Sequence, residues 1–204
     1  MKKLAFLLIL ILFTSCDVKY WGLVPDTVSV DGYIDLNTGF ARIYLRKKYQ
    51  DAPVTSATVL INGVMLNSDN PGVYTKNLSV DIDTFHLRVE LMDELLNFTE
   101  VAPSPRNLNY QYIISGDSLK ISWERPEHAS YFEFIATENM DTVLDTVLVD
   151  TEIVMEQVRD SLQAEIISVS GPEWSDTAFI PNINTGVWEG NFKILSRTHL
   201  DFNH

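Results

Sequence analysis

Short runs of alternating apolar and polar residues, separated by turn residues, recur along most of this chain. The first run places Val28, Val30 and Ile34 on one face, with polar residues between them. Side chains alternate between the two faces of a β-strand, so each run predicts a strand that is buried on one side. Asn62-Gly63 joins two of these runs and favours a two-residue hairpin turn. The pattern predicts an all-β chain.

A segment with two prolines, residues 102–107, divides the runs into two groups. Proline cannot donate a hydrogen bond to a sheet, so this segment predicts a linker. We therefore predict two antiparallel, immunoglobulin-like β-sandwiches in tandem, over residues 27–101 and 108–181. Residues 151–162 fit either a short helix or a strand followed by a turn. Residues 182–204 form a C-terminal tail that could add a further strand.

The N-terminus has the pattern of a secretory signal. Lys2 and Lys3 precede an apolar run from Leu4 to Phe13, whose helix would rise about 15 Å and would not span a bilayer. The run ends in Thr-Ser-Cys16, which contains the only cysteine and resembles the lipobox of bacterial lipoproteins. The resemblance implies a signal peptide over residues 1–15, lipidation of Cys16 and a tether over residues 16–26. An ordinary signal peptide with an incidental cysteine and an uncleaved anchor are the alternatives.

The charge of the chain limits its partners. The chain has 15 basic and 28 acidic side chains, and cleavage before Cys16 would remove two of the lysines. Such a surface repels phosphate backbones and anionic headgroups, which argues against nucleic acid as a partner. Attachment to a membrane should therefore depend on the lipid.

The second half of the chain resembles a fibronectin type III domain. Leu119, Ile121 and Trp123 alternate with polar residues, and Tyr131 begins the next run. In that family a tryptophan on the second strand packs against a tyrosine on the third. The resemblance implies that Trp123 and Tyr131 meet in the core of the second sandwich.

The first half resembles the carboxypeptidase-regulatory-like, prealbumin-type sandwich through residues 30–34, 52–61 and 71–74. This order of domains behind a lipobox is similar to the Bacteroidota lipoprotein family known as DUF4249, and residues 182–192 resemble the glycine-rich, aromatic end of that family. The resemblance implies a membrane-anchored protein of the bacterial cell envelope, at the outer membrane and on its periplasmic or surface face. It supplies no catalytic residues.

The sequence contains no recognisable catalytic motif. Its four histidines lack the spacing of a metal-binding helix, and no serine lies in a G-x-S-x-G turn. We therefore predict no catalytic residue, no metal and no cofactor. The favoured function is a non-enzymatic module that binds a protein or a glycan in the envelope, beside an outer-membrane transporter. A periplasmic hydrolase or its accessory domain, and a purely structural spacer, are the alternatives.

Two further features of the sequence concern modification and contact. An aspartate followed by serine or threonine and then an aliphatic or small residue resembles the O-glycosylation motif of exported Bacteroidota proteins. The residues that it would modify are Thr27, Ser118, Thr142, Thr146, Ser161 and Thr177. Asp-Thr and Asp-Ser are also favoured at turns and strand starts, which is the alternative. Trp188, between two glycines, is predicted either to form an exposed contact or to close the edge of a sandwich.

Overall fold

The computed structural model describes residues 27–156, 162–172, 174–175, 178–179 and 181–202, which contain strands, turns and loops but no helix. The strands of these ranges are β1 (Val28–Asp35), β2 (Phe40–Lys47), β3 (Ala52–Pro53), β4 (Thr58–Ile61), β5 (Val64–Met65), β6 (Asn67–Asn70), β7 (Val73–Asn77), β8 (Thr84–Leu91), β9 (Glu94–Val101), β10 (Tyr110–Ser115), β11 (Ser118–Trp123), β12 (Tyr131–Glu138), β13 (Asp141–Leu148), β14 (Glu152–Glu156), β15 (Leu162–Ser170), β16 (Trp174–Ser175), β17 (Ala178–Phe179), β18 (Ile183–Asn184) and β19 (Trp188–Leu200). The predicted fold class, two β-sandwiches, is confirmed. The ambiguous segment after Asp150 begins as strand β14. Within the described ranges, no helix offers the length and hydropathy that a membrane crossing needs.

The first sandwich packs the sheet β19-β1-β2-β7-β6 against the sheet β5-β4-β8-β9. Its core consists of the apolar positions of the alternating runs, because those side chains share one face of each strand. Val30, Ile43 and Phe85 are fully buried representatives from β1, β2 and β8. The alternation in these strands therefore predicted correctly which side chains face the core of this sandwich.

The second sandwich packs the sheet β10-β11-β14 against β13-β12-β15-β19. Trp123 lies in its core, as its alternation with Leu119 and Ile121 predicts. The expected contact with Tyr131 is wrong. The ring of Trp123 meets Phe132 edge-on, with centroids 5.3 Å apart, because β12 turns Phe132 towards the core and Tyr131 towards the opposite face of the sheet.

Strand β19 belongs to both sandwiches. Residues 188–195 pair in parallel with β1, and residues 194–200 pair antiparallel with β15. The two main sheets therefore merge into one sheet of ten strands. Trp188 and Phe192 enter the first core, and Leu200, in the same alternating phase, enters the second. The segment predicted as a tail is thus the strand that joins the two sandwiches.

The predicted linker, residues 102–107, is packed between neighbouring elements. Ala102 is buried at one end, and Leu108, just past the other end, is also buried. The guanidinium of Arg106 donates to the Ile82 carbonyl at 2.8 Å, and the Ser196 hydroxyl donates to the Arg106 carbonyl at 2.6 Å. These bonds attach the segment to the first sandwich and to β19.

Candidate binding site

The face of the ten-stranded sheet that points away from both cores carries a polar and aromatic cluster at its centre. On β1, Asp31 and Tyr33 project to this outer face because the alternate residues fill the core. In the pairing register, Asp31 lies opposite both Tyr44 on β2 and Asn191 on β19, and Tyr33 lies opposite Lys193. Three neighbouring strands thus bring together side chains that are distant in the sequence, from Asp31 on β1 to Lys193 on β19.

These side chains line a cleft of about 400 Å³ that is open to solvent. Its walls include the side chains of Asp31, Tyr33, Tyr44, Glu133, Lys193 and Leu195. Glu133 comes from β12 of the second sandwich, so the cleft spans the junction of the two sandwiches. Its volume lies within the range of small-molecule sites in proteins, which is about 300–1,000 Å³.

Lys193 is the cation of the cleft. Its ammonium donates a hydrogen bond to the Tyr131 hydroxyl at 2.6 Å and lies 5.3 Å from the centroid of that ring. Burial lowers the pKa of Lys193, although the negative charges of Glu133 and Asp31 act in the opposite direction. The ammonium is therefore partly stripped of water and held in one place, which prepares it to donate to a ligand.

Asp31 is the half-buried acceptor of the cleft. Burial raises the pKa of Asp31, while a hydrogen bond from the Ser29 hydroxyl at 3.1 Å and one from the Asn191 backbone lower it. The pKa rises on balance because lost hydration outweighs these partners. A carboxylate in this environment gains from any ligand hydroxyl that replaces the missing water.

The two aromatic side chains of the cleft wall, Tyr33 and Tyr44, are held by contacts with neighbouring strands. Tyr33 packs on a small apolar cluster of the outer face that contains Tyr131, Val169 and Leu195. The guanidinium of Arg42 lies 4.9 Å from the centroid of the Tyr44 ring. Both rings are therefore fixed by the sheet and its neighbours and do not depend on a flexible loop.

An ion-pair network holds the strands around the cleft in register. The Arg197 guanidinium binds Asp35 on β1 at 2.8 Å and Glu165 on β15 at 3.0 Å. Arg197 itself lies on β19, so one side chain connects the three strands where the sandwiches meet. Two partly buried, charge-assisted hydrogen bonds from one guanidinium to different strands favour one geometry.

A second, larger cavity of about 460 Å³ lies at the end of the first sandwich where strand β1 begins. Val28, Val54, Leu91 and Met92 give it a mainly apolar wall. Its charged side chains are Lys47, Asp93 in the turn before β9, and Glu94, the first residue of β9. The cleft on the outer face is the stronger candidate because Asp31 and Lys193 there are half-buried and each is held by a hydrogen bond within the sheet.

The structure places Trp188 in the core of the first sandwich, where it is 2% exposed. Of the two predicted alternatives, the exposed contact is therefore wrong. β19 pairs with β1 at this position, so the indole points inward and closes the sandwich. Within the described ranges, no group of three histidine, cysteine or carboxylate side chains could hold a metal ion.

The candidate O-glycosylation residues differ in accessibility. Thr142 on β13 is exposed, whereas Thr27, Ser118 and Thr146 are half-buried in or beside strands. The remaining two candidates, Ser161 and Thr177, and the lipidation residue Cys16 lie outside the described residues. Glycosylation at any of these positions stays a prediction.

Sequence analysis placed Asp31 and Tyr33 on a face opposite the core but did not identify the cleft. Tyr44, Glu133 and Lys193 come from three other strands, and no local spacing connects them. The available signal was the outward phase of β1, which consists of Ser29, Asp31, Tyr33 and Asp35 and contains no aliphatic residue.

Comparisons with known proteins found no matching protein-family model and no matching curated protein. Solved structures that share features with the chain include the fibronectin(III)-like modules of Clostridium thermocellum CbhA. That match has 11% identity and a TM-score of 0.30, and covers 87% of this chain and 100% of that one. A two-domain fibronectin type III segment of chicken tenascin has 12% identity, covers 72% of this chain and 90% of that one, and gives a TM-score of 0.25.

A third similar structure is the central fibronectin III array of RIM-binding protein, with 13% identity and a TM-score of 0.25. The match covers 79% of this chain and 65% of that array, so this chain spans less than two thirds of its length. TM-scores this low carry no inference about function or partners.

Proposed function

We propose that this protein is a non-enzymatic binding module of the bacterial cell envelope, anchored by a lipid on Cys16, and that its ligand occupies the outer-face cleft. The observation that carries the proposal is the convergence of half-buried, partnered Asp31 and Lys193 on one open cleft. Charged groups are costly to remove from water, so their placement there favours a role in binding.

The anchor is proposed from the sequence pattern and from the direction of the chain. The lipobox-like Thr-Ser-Cys16 lies eleven residues before Thr27, the first residue of the described part. Val28 pairs with Lys47 and Trp188, at the end of the first sandwich that lies away from the second. A tether from this end would leave the cleft and the second sandwich exposed to other envelope components. We propose an outer-membrane transporter as the neighbour that the module serves.

Two measurements test the anchor. The mass of the mature N-terminal peptide should show acyl chains on Cys16, and Cys16→Ala should lose both the acyl mass and membrane partitioning. Partner association would appear as co-purification of an outer-membrane transporter after mild detergent extraction. A Cys16→Ala variant that stays in the membrane with unchanged mass would contradict the lipid anchor.

The binding role is tested with the full mature chain on a solid support. Solubilised envelope is separated into protein and polysaccharide fractions, and each is passed over wild type and over Lys193→Met/Tyr44→Ala. Lys120→Met is the matched control, because Lys120 forms a surface ion pair with Glu152 at 2.8 Å on a different sheet. The proposal expects at least one fraction to be retained by wild type and the control but not by the cleft variant. Equal retention by all three proteins would contradict it.

A further inference from the structure

We infer that the cleft binds a neutral saccharide, with a sugar ring against Tyr33 and Tyr44 and its hydroxyls bonded to Asp31, Lys193 and Glu133. This inference rests on the proposed binding function and names its ligand class. It depends on the combination of groups in the cleft, their charge, and the shape of the walls.

The cleft offers hydrogen-bond donors and acceptors side by side. Lys193 has only N–H donors, whereas ionised Asp31 and Glu133 are acceptors only. A ligand hydroxyl both donates and accepts, so a molecule with several neighbouring hydroxyls can satisfy all three side chains. A ligand with groups of one kind would bond to only part of this half-buried set and would gain less free energy.

The charges of the cleft disfavour an anionic ligand. Two carboxylates face one ammonium there, and the whole chain carries a net charge of −13. A phosphate or carboxylate ligand would approach against this field, and burial in the cleft would strengthen the repulsion from Asp31 and Glu133.

A cationic ligand meets a different obstacle, because two cations of the protein already lie beside the aromatic rings. The Arg42 guanidinium lies 4.9 Å from the centroid of the Tyr44 ring, and the Lys193 ammonium donates to the Tyr131 hydroxyl and is attracted by Glu133 and Asp31. A ligand ammonium would be repelled by both of these groups. A neutral ligand avoids both penalties.

The walls suit the two-sided chemistry of a sugar ring. A pyranose has hydroxyls around its edge and C–H groups on its faces. Leu195 and the rings of Tyr33 and Tyr44 supply apolar surface, while the charged groups lie on the same open face. Because the cleft of about 400 Å³ opens along the sheet and is not enclosed, a ring within a longer chain could enter it as well as a free sugar.

The experiment uses the full mature chain and an array of immobilised neutral oligosaccharides with their sulfated and uronic-acid-containing counterparts. The strongest binder on the array is then titrated in solution against wild type, Asp31→Asn, Lys193→Met and the control Lys120→Met. We expect neutral glycans to bind, and each cleft substitution to weaken binding about tenfold or more, since hydrogen bonds to charged groups are among the stronger ones. Lys120→Met should bind as wild type does.

Circular dichroism and thermal unfolding of each variant verify that a loss of binding is not a loss of folding. Because Asp31→Asn and Lys193→Met conserve side-chain volume, at least one of them should retain the wild-type spectrum. If either is misfolded, Tyr44→Ala, which removes the ring that the sugar packs against, replaces it in the titration.

Several results would overturn the saccharide inference: preference for the acidic glycans, neutral binding that the cleft variants leave unchanged, or no glycan binding at millimolar concentration. If envelope proteins were still retained in a cleft-dependent manner, the binding function would stand with a protein ligand. Release of shorter glycans by wild type, seen by chromatography, would keep the saccharide site but overturn the non-enzymatic function.

Discussion

A methyl group added at Gly190 should force the shared strand away from β1. Gly190 lies opposite Val30 in the parallel pair and has a φ of 143°, a conformation that L-residues rarely adopt. A Cβ built at this position would lie 1.9 Å from the Val30 carbonyl oxygen and 2.7 Å from the Val30 nitrogen. These are backbone atoms, which cannot rotate away, so Gly190→Ala requires the two strands to separate.

The size of the effect follows from what this separation disturbs. The unfavourable backbone conformation alone costs about 1–3 kcal/mol. Trp188 and Phe192 flank Gly190 on the same face and fill the first core, and large aromatic residues contribute about 3–5 kcal/mol each when they are fully buried. If separation removes half of one such contribution, Gly190→Ala should lower the free energy of unfolding by about 4 kcal/mol.

Gly186 provides the matched control because it lies four residues earlier on the same segment. Its φ is 82°, and a Cβ there would meet nothing within 4 Å. Gly186→Ala should therefore cost only the backbone term, about 1–2 kcal/mol. Urea unfolding followed by circular dichroism gives both values. If Gly190→Ala were no more destabilising than Gly186→Ala, the pairing of β19 with β1 would be refuted.

The cleft, the second core and the packed linker give three further predictions. Asp31→Asn should raise the stability of the fold at about pH 7 and have little effect near pH 3. The pKa of Asp31 is raised in the folded state, so ionisation of this carboxyl lowers stability as the pH rises above 3.8. Thermal unfolding across pH measures the effect, and an equal effect at both pH values would contradict the prediction. Trp123→Ala should lower the free energy of unfolding in urea by about 3–5 kcal/mol, since the indole is only 6% exposed. Trp123→Phe should lower it less. Free quenching of Trp123 fluorescence by acrylamide would show that the strand phase is wrong. Limited proteolysis near Arg106 should be slow, and a chain cleaved there should still elute as one species from size-exclusion chromatography. The reason is that β19 pairs with strands of both sandwiches. Two folded fragments that elute separately would contradict this prediction.

The sequence predicted the elements whose side chains alternate regularly. In β1, β2 and β8 every second residue is apolar, and Ile34, Ala41 and Leu87 lie in the core as expected. The Asn62-Gly63 turn also connects β4 and β5 as the dipeptide indicates. Local sequence suffices in these cases because the strand period and the turn geometry are set by neighbouring residues.

Strand β19 could not be predicted in the same way. Its inward-facing positions include Gly190, Ser196 and Thr198, which break the apolar alternation between Trp188 and Leu200. Ser196 and Thr198 are buried, but both form hydrogen bonds. The Ser196 hydroxyl donates to the Arg106 carbonyl, and the Thr198 hydroxyl accepts from the Leu108 backbone N–H. Their polarity is thus compensated by partners about 90 residues away, which no local pattern records.

The predicted contact between Trp123 and Tyr131 is wrong for a related reason. The run that begins at Tyr131 has apolar residues in both phases, Tyr131 and Ile135 on one face and Phe132 and Phe134 on the other. Alternation therefore does not decide which face meets the core. Lys193, which binds the Tyr131 hydroxyl on the outer face, comes from β19, so the assignment depends on tertiary structure.

Equilibrium unfolding with one tryptophan in each core tests whether the shared strand makes the two sandwiches, and the cleft between them, one folded unit. One variant keeps only Trp188, in the first core, and the other keeps only Trp123, in the second. In each variant, tryptophan fluorescence is compared with far-ultraviolet circular dichroism of the whole chain in urea. Coincident transitions in both variants are expected, because β19 cannot leave one sandwich without disrupting the other. A tryptophan transition that separates from the circular dichroism transition in either variant would show two independently folding domains and contradict the shared strand as their common element.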